Sequence, residues 1–363
     1  MADFGADVIK IERPGDPQYG DLGIRHGPDF QNLHRNKRGM ILDLKHPRGL
    51  EILKRLVETA DVLIENYRPK VKHRLGIDYD NLKTINPRLI YASISGFGQT
   101  GPYADRPGLD QVAQGMGGHM SVTGEPGRGP VRSGTAISDL TAGLLAANGI
   151  MAALHEREKS GEGQWLYTSL IEAQIFLMDF QAARWLIDGE VPGQAGNDHP
   201  TNIPMGTYRT KDGYVNIAPM PAMWAKFCTV MDMDDLCDDP DYATLPGRRA
   251  NRDALVALIE EKTILEDTTI WVDRLNQAGI PCGPIYKMDQ VFEDEQVKHL
   301  DIAQTVASPR GDLTMVGQPV HLSRTPSKLT VSSPELGQHT VEILADAGYN
   351  AEEIESFQAE GVV

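Results

Sequence analysis

The sequence predicts an α/β protein of two domains, on three observations. Short β-rich runs alternate with helical ones over the first hundred residues, the links between them are short, and a break in composition near residue 190 precedes a smaller unit of mixed character. Alternation of strand and helix through short links leads to a parallel sheet covered by helices. A chain of 363 residues also exceeds what one core usually serves, which agrees with two domains.

In order along the chain, VIKIE (8–12) reads as a buried strand closed by RPGD, and MILDL (40–44) as a second. PRGLEILKRLVETA (47–60) has the periodicity of an amphipathic helix, and DVLIEN (61–66) and RLIYASISGFG (88–98) are further strands. Ligands of such sheets sit beyond the carboxyl ends of the strands. That rule puts Glu65, Asn66 and Tyr67, and Ser95 to Gly98, on the candidate site face. LTAGLLAANGIMAALHERE (140–158) is a long helix with Leu140, Leu144, Ile150, Met151 and Leu154 as its apolar stripe, and LIEAQIFLMDFQAARWLID (170–188) is a second helical run.

The first domain therefore spans 1–188. Residues 189–205, rich in Gly, Pro, Asn and Asp and without periodicity, read as a linker. A small domain follows over 206–300, with a hairpin turned at Lys211 to Gly213 and helices over 224–231 and 252–262. The tail from 301 begins with strand-like pieces and ends in helical ones split at Gly348 and Tyr349.

A net charge of -16 argues against nucleic acid or an anionic membrane as partner. No run approaches the ~18 uninterrupted apolar residues that cross a bilayer, and MADFGADVIK lacks the pattern of an export signal, so the expected location is cytoplasmic. The three cysteines, Cys228, Cys237 and Cys282, lack metal-ligand spacing and read as reduced thiols. Charge is uneven, however: residues 1–75 carry 14 Lys and Arg against 11 Asp and Glu. Arg35, Lys37 and Arg38, then Lys45 and Arg48, then Arg68, Lys70, Lys72, His73 and Arg74 come in clusters. Such clusters in an acidic protein suit a small polyanion, although a solvated helix face accounts for them equally well.

Chemistry concentrates between Gly108 and Gln164. Gly117, Gly118, Gly124, Gly127, Gly129 and Gly134 allow close backbone approach to a ligand, and Asp139 stands at the mouth of the long helix. Ser138 and Asp139 occupy positions where an N-cap is wanted. The positive end of the helix dipole would also keep a carboxylate there ionised and fixed, which makes it a usable nucleophile.

GADVIKIERPGD, RNKRGMILDLKHPRG, ADVLIENYRPKVKHRLGIDYD, NPRLIYASISGFGQTGPYADRPGLD, SGTAISDLTAG, REKSGEGQ, AGIPCGPI and GQHTVEILADAGY occur in an order that resembles the class III CoA-transferases of the CaiB/BaiF type, along the whole chain. The resemblance implies a Rossmann-like large domain joining the N-terminal part to a return over 301–363, a smaller α+β domain, and an interlocked homodimer. It implies that Asp139 is the nucleophile, that Asn66, Tyr67 and Arg74 lie along the CoA channel, and that Arg13, Leu42 and Lys45 contact the nucleotide or pantetheine portion of CoA. Acyl-CoA and small carboxylic acids would be the substrates, with no metal or flavin. Gly117 and Gly118 are candidate donors to tetrahedral oxyanions.

Three departures bear on this expectation. Related α-methylacyl-CoA racemases use a His and Asp pair, and Leu109 stands where their His belongs, so racemisation ranks second to acyl transfer. Family members usually carry a further βα unit before the point where this chain begins, which raises a third reading, an inactive acyl-CoA-binding homologue. Lys70 stands where the family usually has glycine. The SVTGEPG and PVRSGTAISDL segments look most like the branch that uses dicarboxylates with succinyl-CoA, and Arg132 is a candidate for a second substrate carboxylate.

Overall fold

A computed structural model describes residues 1–21 and 23–363. The chain forms two compact units, one of Met1–Ala113, Ala136–Leu177 and Phe292–Val363, the other of Gln114–Thr135 and Met178–Val291.

The first unit holds parallel ladders with helices between their strands. Strand β1 (Val8–Glu12) is followed by the short antiparallel pair β2 (Tyr19–Gly20) and β3 (Gly23–Ile24), and β4 (Lys37–Ile41) returns parallel to β1 with Val8 opposite Lys37 and Glu12 opposite Ile41. This corrects the expected strand at 40–44. Its apolar residues marked the hydrophobic stretch, but the ladder is set by the partner strand, and it ends as Asp43 N–H turns to the Val362 carbonyl at 2.8 Å. β5 (Val62–Glu65), β6 (Ile90–Ser95) and β7 (Trp165–Ser169) form a second parallel sheet in that order. The helix Pro47–Val57 packs Ile52, Leu53 and Val57 into a core shared with Met40, Tyr91, Ile343 and Phe357. The last two residues lie on the helices Thr340–Asp346 and Ala351–Ala359, so the C-terminal tail completes the core of the N-terminal segment.

The long helix runs Ile137–Ser160, and of the expected apolar stripe only Ile150 is buried, with Leu154 partly so. Ala142, Ala146, Ile150 and Ala153 are buried, while Leu140, Leu144 and Met151 are 51%, 72% and 58% exposed. Small side chains let the helix lie close to the sheet; a Cβ on Gly149 would already meet Leu166 Cδ1 at 3.4 Å. By length and composition the helix could cross a membrane, yet here one face covers β6 and β7. Ile150 and Ala153 pack on Ile90 and Ala92 near the start of β6, and Ala142 packs with Ile94 near its end and with Leu170 just past β7. The helix therefore runs against the strands and delivers its first turn to their carboxyl edge.

The run expected over 170–188 is broken. Leu170–Leu177 is helical, Asp179 takes φ 42°, and a short helix Asp179–Ala183 passes into a single π-helical turn, Arg184–Asp188.

In the second unit, β8 (Gly206–Arg209), β9 (Tyr214–Ile217) and β10 (Cys282–Pro284) make an antiparallel sheet in the order β10-β9-β8. The expected hairpin is present, closed by Thr210 N–H to the Gly213 carbonyl at 2.9 Å. Tyr208, Val215, Phe227, Trp271 and Leu275 form its core with the helices Trp224–Val230, Arg252–Thr263 and Thr268–Gln277. Residues 189–205 belong to this unit. Gln194 Nε2 donates to the carbonyls of Thr123 and Gly129 at 2.8 and 2.6 Å, and His199 Nδ1 accepts from the amides of Thr201 and Asn202.

Candidate active site at the carboxyl edge of a parallel sheet

Three strand tips of the first unit share one edge. β5 ends at Glu65, whose Oε2 accepts the Tyr67 amide at 2.7 Å and so folds the chain over into a tight turn that leaves Asn66 and Tyr67 exposed. β6 ends at Ser95, whose Oγ accepts the Gly98 amide at 3.1 Å. Beyond it the chain passes close to the Gly108 segment: a Cβ on Gly96 would lie 2.7 Å from Gly108 Cα, so both positions exclude a side chain. β7 ends at Ser169, and the Ile171 amide donates back to the Gly96 carbonyl at 3.2 Å.

Asp139 enters this edge from the long helix. Helix geometry starts earlier than the sequence reading placed it, with Ala136 as N-cap and no side-chain cap from Ser138 or Asp139. Capping comes from elsewhere in the unit. Asp110 is buried and its Oδ1 accepts the Ser138 amide at 2.8 Å, while Ser138 Oγ donates to Gln174 Oε1 at 2.7 Å. Asp139 is thus released from capping and is exposed, in the first helical turn.

Its electrostatics also differ from expectation. Partial burial of the carboxyl, with the Asp110 charge second, pushes Asp139 above its ordinary carboxylate value, opposite to the direction that the helix dipole alone would give. A carboxylate that binds protons more tightly is also the better nucleophile once ionised.

The basic clusters separate into two sets. Arg35 pairs with Asp3, Arg38 with Asp7, Glu342 and Asp346, Arg48 with Glu360, and Lys70 with Asp105 at 2.6 Å. Lys72 is not at the surface at all. Its ammonium donates to Glu65 Oε1 at 2.8 Å, Ser93 Oγ at 2.8 Å and Gln99 Oε1 at 2.6 Å, and lies 5.0 Å from the Trp165 ring centroid. These cations are engaged by partners within the chain and are subtracted from the polyanion site that the clusters suggested. Arg13, Lys45 and Arg74 are exposed, and none of them has a carboxylate partner among the described residues. Leu42 is 1% exposed and its side chain lies in the core, so any approach to a ligand there is by backbone.

Gly117, Gly118 and Arg132 belong to the second unit. Gly118, at φ +89°, is the N-cap of a short helix, His119–Val122, and its amide donates to the Gly115 carbonyl at 3.4 Å. Arg132 is exposed. Leu109 is 73% exposed, and His119 Nε2 is buried without a hydrogen-bond partner among the described residues. Among the described residues no group of three or more His, Cys, Asp or Glu is arranged to hold a metal ion.

Sequence reasoning passed over Asp110, Lys72 and Gln99 as site-edge residues. Asp110 lay visible in GLD, but nothing local distinguishes an acid that caps a helix 28 residues on. Lys72 looked like its exposed neighbours because the helix Pro69–Leu75 turns only Pro69 and Lys72 fully inward.

A family model described as CoA-transferase family III matches residues 1–340. A succinate–glutarate CoA-transferase of Agrobacterium fabrum is 36% identical over 362 residues, covering 95% of this chain and 90% of the relative. A succinyl-CoA:glutarate CoA-transferase of Mus musculus is 35% identical over 374 residues, covering 100% of this chain and 85% of the relative. The crystal structure of a CAIB/BAIF family protein from Brucella suis superposes with a TM-score of 0.82 at 37% identity, covering 95% of this chain and 93% of that one.

Proposed function

The chain belongs to CoA-transferase family III, and from that premise we propose that it moves CoA from an acyl-CoA donor, succinyl-CoA foremost, to a short dicarboxylic acid through Asp139. The observation that carries the reading is the placement of one exposed carboxylate in the first turn of a helix at the carboxyl edge of a parallel sheet, where α/β proteins bind ligands. The names of the two transferase relatives support the choice of succinate and glutarate as acids.

In this reading the Asp139 carboxylate attacks the thioester carbonyl, forming a mixed anhydride and releasing CoA as thiolate. The thiolate attacks the aspartyl carbonyl, the donor acid leaves, and an aspartyl-CoA thioester remains. The acceptor carboxylate then displaces CoA to form a second anhydride, and the retained thiolate cleaves that anhydride at the acceptor's carbonyl, yielding the new acyl-CoA and free Asp139. Arg13, Lys45 and the backbone at Leu42 would contact the nucleotide or pantetheine portion of CoA, Asn66, Tyr67 and Arg74 would line the CoA channel, and Arg132 would hold the far carboxylate of the acid. The exposed cations without carboxylate partners support the first assignment. Gly117 and Gly118 would supply the oxyanion amides, and the Gly118 amide would have to leave the Gly115 carbonyl, to which it donates at 3.4 Å. The reading includes a homodimer, supported by the exposed apolar face of the long helix and by Trp185, Leu186 and Ile187 at 57%, 78% and 79% exposure. It also includes a reducing compartment, in keeping with three free cysteines.

The test is turnover of succinyl-CoA with glutarate, followed by mass spectrometry of new acyl-CoA. Wild-type protein transfers CoA, and hydroxylamine during turnover leaves a hydroxamate on Asp139. Asp139→Asn loses at least about a thousandfold in kcat. Transfer surviving in that variant refutes the assignment, exchange of an α-deuterium without transfer indicates a racemase, and CoA binding with neither reaction indicates an inert homologue.

A further inference from the structure

The Lys72 network is a costly way to bind these elements together. A buried Lys–Glu pair can generally be replaced by apolar groups of similar volume at no loss, because desolvating two charges offsets their attraction. Its side chains are 1% and 3% exposed, so solvent does little to relieve that cost. What the pair does provide is direction. Glu65 divides its two oxygens between the Lys72 ammonium and the Tyr67 amide, and so ties the turn after β5 to the helix behind it. Lys72 then reaches across to β6 through Ser93 Oγ and to the loop after β6 through Gln99 Oε1. Gln99 Nε2 passes the connection on to Ser95 Oγ at 3.2 Å, the same oxygen that accepts the Gly98 amide. One ammonium thus fixes two neighbouring strand tips, Asn66–Tyr67 and Gly96–Gln99, relative to each other. Apolar substitutes would fill the space without specifying that geometry.

We propose that Lys72, acting through Glu65 and Gln99, is a positioning residue that sets the two strand tips at the separation needed to receive the pantetheine arm of CoA. It touches no reacting atom. The inference rests on the CoA-transferase reading and adds a determinant of CoA affinity to it. Loosening one link lets the tips move apart, so the energy of holding CoA is spent on ordering them, while the chemistry at Asp139, on a separate helix, is unchanged once CoA is bound.

Gln99 is the link to cut, because its replacement leaves the ion pair intact and the protein folded. Gln99→Met removes both the acceptor for Lys72 and the donor to Ser95 at nearly constant volume. It is expected to raise KM for succinyl-CoA and the calorimetric Kd for CoA about tenfold, the loss of roughly one hydrogen bond, with KM for glutarate and kcat within about twofold of wild type. Gln99→Glu keeps an acceptor for Lys72 and a second oxygen for the Ser95 hydroxyl, and brings both constants back toward wild type. Lys72→Met, assayed at low temperature to keep it folded, shifts the same two constants by at least as much. A Gln99→Met enzyme with unchanged CoA affinity, or one whose kcat falls while CoA binding stays intact, overturns the proposal. Wild-type protein that binds no CoA and transfers none overturns instead the functional reading on which it stands.

Discussion

Replacing Lys72 by methionine is the sharpest energetic test of the site edge. Three bonds from the ammonium disappear, to Glu65 at 2.8 Å, Ser93 at 2.8 Å and Gln99 at 2.6 Å. Ser93 Oγ keeps the Trp165 indole N–H at 3.0 Å, so its loss is small, and the Gln99 bond is worth about 1 kcal/mol. Glu65 bears the main cost. Its carboxylate keeps the Tyr67 amide at 2.7 Å but has no cation left, in a position where its side chain is 3% exposed. Orphaning a buried charge in this way costs about 3–5 kcal/mol, or roughly a 150- to 5,000-fold rise in the unfolding constant. Removing both charges should cost less than removing one, so Glu65→Gln combined with Lys72→Met recovers more than half of the single loss, a coupling of about 2 kcal/mol or more. Urea titration followed by fluorine NMR of 5-fluorotryptophan protein measures this in the correct unit, because Trp165 alone of the four tryptophans lies in the first unit. A single-variant loss below about 1 kcal/mol, or losses that simply add in the double variant, would mean that Glu65 is solvated or otherwise paired, and the reasoning fails.

Two other outcomes follow from the same geometry. Because desolvation and Asp110 raise the Asp139 pKa, its protonated, non-nucleophilic form persists to higher pH than in a free carboxylate. The acid limb of the kcat/KM profile for succinyl-CoA therefore lies above that of an ordinary Asp, and Asp110→Asn, which still offers an oxygen to the Ser138 amide, moves it to lower pH; an unmoved limb removes Asp110 from the account. By linkage the native state holds this proton more tightly than the unfolded chain, so ionised Asp139 subtracts stability as pH rises past the unfolded value of about 3.9. Asp139→Asn is accordingly as stable as wild type in acid and more stable at neutral pH, which thermal melts at the two pH values check. Gly163→Ala places a Cβ against the Leu89 carbonyl oxygen and the Arg88 carbonyl carbon at the entry to β7, all backbone and unable to yield. It should destabilise by more than about 2 kcal/mol, and an unchanged melting temperature would show that this entry is not tight.

Much of the fold was legible because local signals and tertiary demands coincide in it. β1 and the hairpin at 210–213 lie where alternation and turn residues put them, and the helix expected at 252–262 is present as Arg252–Thr263. Failures occurred where a partner decided. The second strand slid to 37–41 because β1, not its own apolar residues, sets the ladder, and the run at 170–188 broke at Asp179 without any glycine or proline to announce it. The long helix turned its alanines inward, since closeness to the sheet mattered more than side-chain size.

For the site, the amino-acid order alone determined that a short acidic side chain follows a glycine-rich stretch at a helix start, and that strands expected over 61–66 and 88–98 precede it, which the structure trims to Val62–Glu65 and Ile90–Ser95. Chain order can specify such things because they depend on neighbours a few residues apart. Only the folded chain decided that Asp110 caps that helix and leaves Asp139 exposed, and that Lys72, indistinguishable in sequence from Lys70 and Arg74, is buried across two strand tips. Burial of a charge depends on partners 7, 21 and 27 residues away being brought together, and no local pattern encodes that meeting.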